Sequence, residues 1–419
     1  MTSKKVAIAC QGGGTHAAFT WGVLTQILET KRKWDAEVGD GARFDINTIS
    51  GTSAGALCAL AAWYGLVPNT ADPDCGSIDK AIERLDYLWT AFAAETPIEK
   101  THDRIVGAML ELKEQGAPFL ESSPYEIYGD LALTGLSLLG ARQQYLGFAA
   151  LLDSLCPHFA HIDWPQVAET NRRVLAGAIE IYSGNFEAFD SHKTLEEIGL
   201  RPPRRENEQY RITRWRMRRA LSLEGIAASG TLPAVLKAQR IEDTEFPTCT
   251  PGKTIRRDAY YWDGLYSQNP PVRLLLDADS KEEKPDEIWV IRINPQEIDP
   301  REELTSLESI KDRQNDLAGN VSLNADLDHI LTMNKWLAKC AENDSFLSDM
   351  KTVTVRTIKM TRDTAWGLHR SSKFHRSSQH LAKLRIEGRE VAEQWLTGWR
   401  EHGEEFDCFP ADARYGEGE

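Results

Sequence analysis

The segment 47–62, with the sequence NTISGTSAGALCALAA, is the feature that most constrains the fold of this chain. A β-prone run leads into Gly51-Thr52-Ser53-Ala54-Gly55, which passes without a gap into an apolar run of helical character. This pattern is typical of a nucleophile elbow, a sharp strand-to-helix turn that exposes a serine hydroxyl. Gly51 and Gly55 fit the elbow because a Cβ at either position would crowd the strained turn. Ser53 is therefore the candidate nucleophile, next to the amides of a helix N-terminus.

A Gly-x-Ser-x-Gly pentapeptide also occurs by chance in turns that contain glycine. The flanks favour the elbow here, because a strand precedes the motif and a helix of small residues follows it directly. That context is what the motif requires.

A second strand–loop–helix unit opens the chain. The apolar run 6–10 predicts a buried strand, and 15–28 has apolar residues at helical spacing. Two strands that are each followed by a helix predict a mostly parallel sheet with helices on both faces. Between the first pair lie Gly12, Gly13 and Gly14, whose amides can converge on an oxyanion. Loops that follow parallel strands lie at one sheet edge, so this loop is predicted beside Ser53.

The glycine loop also fits a loosened dinucleotide-binding pattern, Gly12-x-Gly14-x-x-Ala17. That pattern requires an acidic residue at the end of the second strand, to bind a ribose. Here the second strand ends in the elbow, which disfavours the dinucleotide interpretation. No cofactor is predicted.

The general base is less clear from the sequence. A catalytic triad would place a histidine late in the chain. The late histidines are His329, His369, His375, His380 and His402. None of them lies in a recognisable turn at the end of a strand. Asp263 does, because it follows an aromatic run and precedes Gly264. An ordinary aspartate, with a pKa near 4, is a poor base, but burial would raise that pKa. A simple β-turn is the alternative role of Asp263-Gly264.

Taken in order, the glycine loop, the elbow and Asp263-Gly264 resemble the motifs of the patatin-like phospholipase family. The resemblance covers about residues 4–295. It implies a three-layer αβα fold with a mostly parallel central sheet, and a Ser–Asp dyad without histidine. Ser53 would be the nucleophile, Asp263 the base, and Gly12, Gly13 and Gly14 the oxyanion loop.

Two residues depart from the family pattern. The family loop usually continues with a basic residue and a glycine, where this chain has His16 and Ala17. The family Asp-Gly is usually followed by a small residue, where this chain has Leu265. Both departures concern substrate preference rather than the dyad.

The predicted organisation is a catalytic domain at 1–300 and a mostly helical extension at 301–419, packed on it. A helical, cap-like insertion is predicted at about 66–160. Its apolar run 131–152 is either a buried helix pair or a cap that lines an acyl-chain channel. A hairpin is predicted over 174–189 and an amphipathic helix over 378–399.

Composition excludes some functions. The formal net charge of −14 disfavours a nucleic-acid binder. The seven cysteines are scattered singly, which predicts reduced thiols in a cytoplasmic protein without a metal site. The longest uncharged apolar run, 54–67, is too short to span a bilayer. Arg204 and Arg219 bound an arginine-rich run that is either a solvated loop or a peripheral contact with an anionic membrane surface. Oligomeric state is not predicted.

The function predicted from these motifs is a lipid acyl hydrolase of the phospholipase A or lysophospholipase type, acting through an acyl-Ser53 intermediate. One alternative is an esterase, thioesterase or polyester depolymerase with a different acyl substrate. A non-catalytic binding module on the same fold is another.

Overall fold

The structure is a computed structural model. It describes residues 3–38, 42–69, 72, 74–114, 147–192, 216–233, 236–247, 254–277, 281–298, 307–339, 350–368 and 371–406. The strands within these ranges are β1 Lys4–Cys10, β2 Phe44–Gly51, β3 Arg173–Glu180, β4 Phe186–Asp190, β5 Arg216–Ala220, β6 Gln239–Pro247, β7 Thr254–Asp263, β8 Glu287–Arg292 and β9 Thr354–Lys359.

The α-helices in the described ranges include several long ones on both faces of the sheet. They are α1 Ala18–Ala36, α2 Ala54–Leu66, α3 Ile78–Phe92, α4 Pro97–Glu114, α5 Phe148–Leu155, α6 Trp164–Ala168, α7 Leu223–Ser229, α8 Leu307–Leu337, α9 Arg362–Gly367 and α10 Ser378–His402. A 3₁₀ turn at Gly14–Ala17 leads directly into α1.

The described strands form one mixed sheet in the order β5-β4-β3-β2-β1-β8-β9, with β7 pairing with β3 and β6. The central pairs β3-β2-β1-β8-β9 are parallel. Antiparallel pairing is confined to β3-β4, β3-β7 and β6-β7. The predicted three-layer α/β fold with a mostly parallel sheet is therefore confirmed.

The alternation of side chains along β1 explains the three layers. Val6, Ile8 and Cys10 face one apolar cluster, which includes residues of α1, α2, α3 and α10. Ala7 and Ala9 face a second cluster, which includes Leu323, Leu327 and Ile330 of α8. A central strand buried on both faces needs an unbroken apolar sequence, which is what the chain has at 6–10.

The C-terminal residues share this core. Strand β9 extends the sheet in parallel beside β8. Helix α10 packs on α1 so closely that a Cβ on Gly388 would lie 2.2 Å from the carbonyl oxygen of Phe19. Trp399 of α10 stacks on Trp34 of α1 at 6.0 Å between ring centroids. The division at residue 300 stays a prediction, but the described part of 301–419 completes the sheet and its apolar layer.

Several local predictions can be compared with the structure. The predicted hairpin is the antiparallel pair β3-β4, and the predicted tail helix is α10, which ends three residues later, at His402. The structure describes α3, α4 and α5 in the predicted insertion. Most of the apolar run 131–152 lies outside the described residues, so both interpretations of it stay open.

The arginine-rich run lies only partly within the described residues, which resume at 216. Arg218 binds Asp190 at 2.7 Å and Asp277 at 2.9 Å, and Arg219 is paired with Glu187. These two arginines thus pair with carboxylates of the fold. Membrane contact through the rest of the run remains a prediction.

In the part of the chain that the structure describes, no helix is both long and apolar enough to cross a bilayer. No group of three or more His, Cys, Asp or Glu side chains there is arranged to hold a metal ion.

Candidate active site

Ser53 occupies a strained turn between β2 and α2. Its φ of 56° and ψ of −132° lie in a region that non-glycine residues rarely adopt, at a cost of about 1–3 kcal/mol. The turn is tightly packed, because a Cβ on Gly55 would lie 2.4 Å from the carbonyl oxygen of Cys10, and one on Gly51 2.3 Å from that of Gly55. The Ser53 side chain remains partly exposed at the start of α2. This is the elbow geometry that the sequence predicts.

The sheet brings Asp263 to the same place. Strand β4 pairs along one edge of β3, from Leu175 to Ile179. On the other edge, β2 pairs with β3 up to Gly51–Ala176, and β7 ends with Asp263 opposite Ala178. The end of β2 and the end of β7 therefore meet on one edge of β3. A Cβ on Gly264 would lie 2.9 Å from Cγ2 of Thr52, which shows how closely the two segments approach.

A segment at the end of α7 fixes both ends of this arrangement. The Ser53 N–H donates to the carbonyl oxygen and to Oγ of Ser229, each at 3.1 Å. The Asp263 N–H donates to the carbonyl oxygen of Thr231 at 2.8 Å. Ser229 Oγ donates in turn to the Gly177 carbonyl of β3 at 2.6 Å. Ser229 and Thr231, which are two positions apart in the sequence, therefore hold Ser53 and Asp263 in a fixed relation to each other.

The Asp263 side chain is fully buried. One carboxyl oxygen, Oδ1, accepts the Leu265 N–H at 2.8 Å, and the other, Oδ2, has no hydrogen bond of standard geometry. Burial raises the pKa of Asp263 to about 7, against the lowering effects of the Ser53 side chain, the Leu265 N–H and the charge of Lys373. Ser53 is thus a polar neighbour of the carboxyl, in a contact looser than a standard hydrogen bond. Such contacts are common in ligand-free catalytic sites and tighten when substrate binds.

The glycine loop adjoins the elbow, and both backbone polar groups of Gly12 are bound by asparagine side chains. Its N–H donates to Oδ1 of Asn269 at 2.7 Å, and its carbonyl oxygen accepts from Nδ2 of Asn294 at 3.0 Å. The role of Gly12 as an oxyanion donor stays a prediction, and in the structure its amide is bound to Asn269. Gly12 anchors the loop, with a Cβ position 2.9 Å from Cβ of Ser53.

The remaining amides near Ser53 have no such acceptor. The N–H groups of Gly13 and Gly14 make no hydrogen bond to any described residue, and neither does that of Ala54, the first residue of α2. Gly13 immediately precedes the 3₁₀ turn that leads into α1, and Gly14 is the first residue of that turn, so both lie at a positive helix end. Free amides at the N-termini of two helices can together bind an oxyanion.

The histidines within the described residues are held by other contacts. None of the described ones hydrogen-bonds to Ser53 or Asp263. His375 and His380 stack on each other at 4.6 Å between ring centroids, and His369 lies outside the described residues. Asp263 is therefore the buried titratable group beside the elbow serine.

Comparison with known proteins agrees with these motifs. The family model for patatin-like phospholipase matches residues 8–276, well over half of the chain. The chain belongs to the patatin-like phospholipase family. This family assignment makes it, in general terms, a lipid acyl hydrolase.

Solved structures similar to this patatin-like chain include that of VipD from Legionella pneumophila. The alignment has 10% sequence identity and a TM-score of 0.33, and it covers 94% of this chain and 67% of that one. A search of curated proteins finds no match.

The two departures from the patatin-like pattern now have a structural context. His16 is buried, and its Nε2 lies 2.7 Å from Oγ of Ser372, so the ring is turned towards the C-terminal region. Leu265 contacts Asp263 through its backbone N–H, which any residue other than proline supplies. Leucine at this position is therefore compatible with the contact to the carboxyl.

Four residues of this patatin-like site escape prediction from sequence. Ser229 and Thr231 lie at the end of α7, and their contacts to Ser53 and Asp263 depend on the tertiary fold. Asn269 and Asn294 hold Gly12, and neither belongs to a motif that signals this role. The position of Asn294 just after a buried strand is the one usable clue.

The anchoring role of Gly12 gives a testable prediction. In Gly12→Ala the new Cβ would lie 2.4 Å from the Thr52 carbonyl oxygen, so either the loop or the elbow must move. We expect kcat for ester hydrolysis to fall by about 100-fold or more, because the loop that carries the proposed oxyanion donors Gly13 and Gly14 loses its position. Stopped assays on purified protein would measure this change.

Gly367→Ala is the matched control, because its Cβ would have no neighbour within 4 Å. It should retain wild-type kcat. Equal kcat values for Gly12→Ala and wild type would contradict the role assigned to Gly12.

Proposed function

We propose that this chain hydrolyses carboxylic esters of lipids by a two-step mechanism with Ser53 as nucleophile and Asp263 as general base. The observation that carries the proposal is the convergence of three groups: a strained elbow serine, a buried carboxyl with a raised pKa, and the amides of Gly13 and Gly14. Nucleophile, base and oxyanion donors are the three requirements of acyl transfer.

In the first step, Ser53 Oγ attacks the ester carbonyl carbon and its proton passes to the Asp263 carboxylate. The carbonyl oxygen becomes an oxyanion, which the N–H groups of Gly13, Gly14 and Ala54 stabilise. Collapse of this intermediate breaks the bond to the alcohol oxygen, which takes the proton from Asp263. In the second step, water gives a proton to Asp263 and its oxygen attacks the carbonyl carbon of the acyl-Ser53 ester. Collapse of this intermediate breaks the bond to Ser53 Oγ, which takes the proton back from Asp263, and the fatty acid leaves.

Exposed aromatic side chains support a lipid substrate. Trp262 and Tyr266, on either side of Asp263-Gly264, are 37% and 54% exposed. Aromatic rings with a polar edge are favoured where apolar and aqueous phases meet. Their position next to the proposed base suits a substrate that is presented at a lipid–water boundary.

Product analysis tests the proposal directly. Purified protein would be incubated with phospholipid, lysophospholipid, a soluble p-nitrophenyl ester and an acyl thioester, with Ser53→Ala as the control. We expect free fatty acid from a lipid ester in the wild type only, and labelling of Ser53 by a fluorophosphonate probe. Preference for the soluble ester or the thioester would support the alternative substrates. Absence of both turnover and labelling would support the non-catalytic alternative.

The raised pKa of Asp263 predicts the pH dependence of the reaction. The general base must be ionised, and the pKa of this buried carboxyl is about 7. We therefore expect kcat/KM to rise tenfold per pH unit below about pH 7 and to level off above it. Initial rates across the pH range would measure this profile. An inflection near the ordinary aspartate pKa of about 4 would contradict the role of a buried base.

A further inference from the structure

A short C-terminal segment, the 3₁₀ turn Ser371–Phe374, lies directly against the glycine loop. Thr15 Oγ1 donates to the carbonyl oxygen of Ser372 at 2.8 Å, and His16 Nε2 lies 2.7 Å from Oγ of Ser372. A Cβ on Gly14 would lie 2.3 Å from the carbonyl oxygen of Lys373. Gly14 has a φ of 59°, so the loop conformation and the close approach of this segment both require glycine there.

The side chain of Lys373 reaches along the same loop and is only 11% exposed. Its Nζ donates to Oδ1 of Asn294 at 2.9 Å and to Oδ1 of Asn315 at 2.5 Å. The amide Nδ2 of that same Asn294 donates to the Gly12 carbonyl oxygen at 3.0 Å. One side-chain amide therefore connects the ammonium group to the loop that carries the proposed oxyanion donors.

We propose that Lys373 is a positioning residue of the active site, which fixes the glycine loop through Asn294 and sets a positive charge beside the Ser53–Asp263 pair. The proposal rests on the proposed function. It assigns to the C-terminal region a role in the proposed reaction. A fixed positive charge stabilises an ionised general base and a developing oxyanion, and it acts most strongly where water is excluded.

The charged groups around Lys373 determine how loss of its ammonium group should change the ionisation of Asp263. The Asp316 carboxylate of α8 lies 3.8 Å from Nζ and partly offsets the ammonium charge. The His16 ring contacts Ser372, the residue before Lys373, with its Nε2 2.7 Å from Ser372 Oγ. Among the described residues, the charge of Lys373 lowers the pKa of Asp263, as do the contacts from Ser53 and from the Leu265 N–H. Loss of the ammonium should therefore make Asp263 harder to ionise, and loss of the Asp316 charge should make it easier.

The experiment compares four full-length variants: Lys373→Gln, Lys373→Arg, Asp316→Asn and Lys383→Gln. Lys383 is an exposed lysine on α10 and serves as the matched control. Each variant is assayed for kcat/KM against pH, for thermal unfolding, and for the titration of Asp263. The titration uses ¹³C-carboxyl-labelled aspartate, and the Asp263 resonance is assigned by its loss in Asp263→Asn.

We expect Lys373→Gln to lower kcat/KM about tenfold above the inflection. It should also move the Asp263 titration and the kinetic inflection to higher pH. Lys373→Arg should keep most of the wild-type kcat/KM and a titration close to that of the wild type. Asp316→Asn should move the Asp263 titration to lower pH. Lys383→Gln should change neither kcat/KM nor the titration. If Lys373→Gln does not fold, the other two variants decide the proposal. The Asp263 titration should still move to lower pH in Asp316→Asn, and Lys373→Arg should keep most of the wild-type kcat/KM.

A folded Lys373→Gln protein with the wild-type titration and wild-type kcat/KM would overturn the proposal while the proposed function stands. A wild-type protein without Ser53-dependent turnover would overturn the proposed function instead. In that case the Asp263 titration alone decides whether Lys373 sets the charge at this carboxyl.

Discussion

Ser53→Ala should lower kcat for ester hydrolysis by about 10⁵-fold, because loss of a nucleophilic serine removes the covalent pathway. The fold should survive, since Ser53 contributes its backbone N–H, not its hydroxyl, to the bonds with Ser229. Steady-state rates on a chromogenic ester and labelling by a fluorophosphonate probe would measure the loss. Wild-type turnover in this variant would contradict the assignment of the nucleophile.

Ser53→Gly provides a matched contrast. Alanine keeps the strain of a residue with a φ of 56°, whereas glycine adopts this conformation without penalty. Both variants should be inactive, but Ser53→Gly should be more stable than Ser53→Ala by about 1 kcal/mol or more. Thermal or urea unfolding would measure the difference. Equal stability would show that the elbow is not strained.

Asp263→Asn should lower kcat by about 10⁴-fold, because an amide cannot accept the serine proton. The side-chain oxygen of asparagine can still accept the Leu265 N–H, so the turn after β7 should be retained. Rates and probe labelling should both decrease. His375→Ala and His380→Ala are the controls, and inactivation by either one, with Asp263→Asn active, would replace the dyad by a triad.

The same variant should show how much the buried carboxyl of Asp263 lowers the stability of the folded protein. The folded-state pKa of Asp263, about 7, lies above the unfolded value of about 4. The folded state therefore holds this proton more tightly, and its stability falls as pH rises from about 4 to 7. Asparagine carries no such charge. Asp263→Asn should thus unfold at a higher temperature than wild type at about pH 8, and the difference should shrink towards about pH 4.

Local sequence patterns were sufficient to predict the elements whose conformation depends on residues that are neighbours in the chain. The unbroken apolar run at 6–10 specifies a strand buried on both faces, and the elbow specifies a strand–turn–helix unit. The loop at Gly13 and Gly14 follows from its place between a strand and a helix. In each case the residues that determine the conformation are neighbours in the chain, so propensity and sterics act directly.

Local patterns do not predict contacts between segments that are distant in the sequence. The Gly12 amide is bound by Asn269, which follows β7 in the chain and is more than 250 residues away in sequence. Ser229 and Thr231 hold Ser53 and Asp263 only because α7 ends beside β3. The sequence predicts a mostly helical extension at 301–419 packed on the catalytic domain, and the structure adds that β9 pairs with β8 and that Lys373 lies against the glycine loop.

The amino-acid sequence by itself determined the class of fold, the elbow serine and the aspartate that follows an aromatic strand, because each depends on residues adjacent in the chain. The tertiary structure alone decided that β2 and β7 end on the same edge of β3, which brings Ser53 and Asp263 together. It also decided that burial raises the pKa of Asp263. The strand pairing and the burial of Asp263 both depend on which parts of the chain pack against each other and exclude water. Packing of this kind is a property of the folded molecule and not of any single segment.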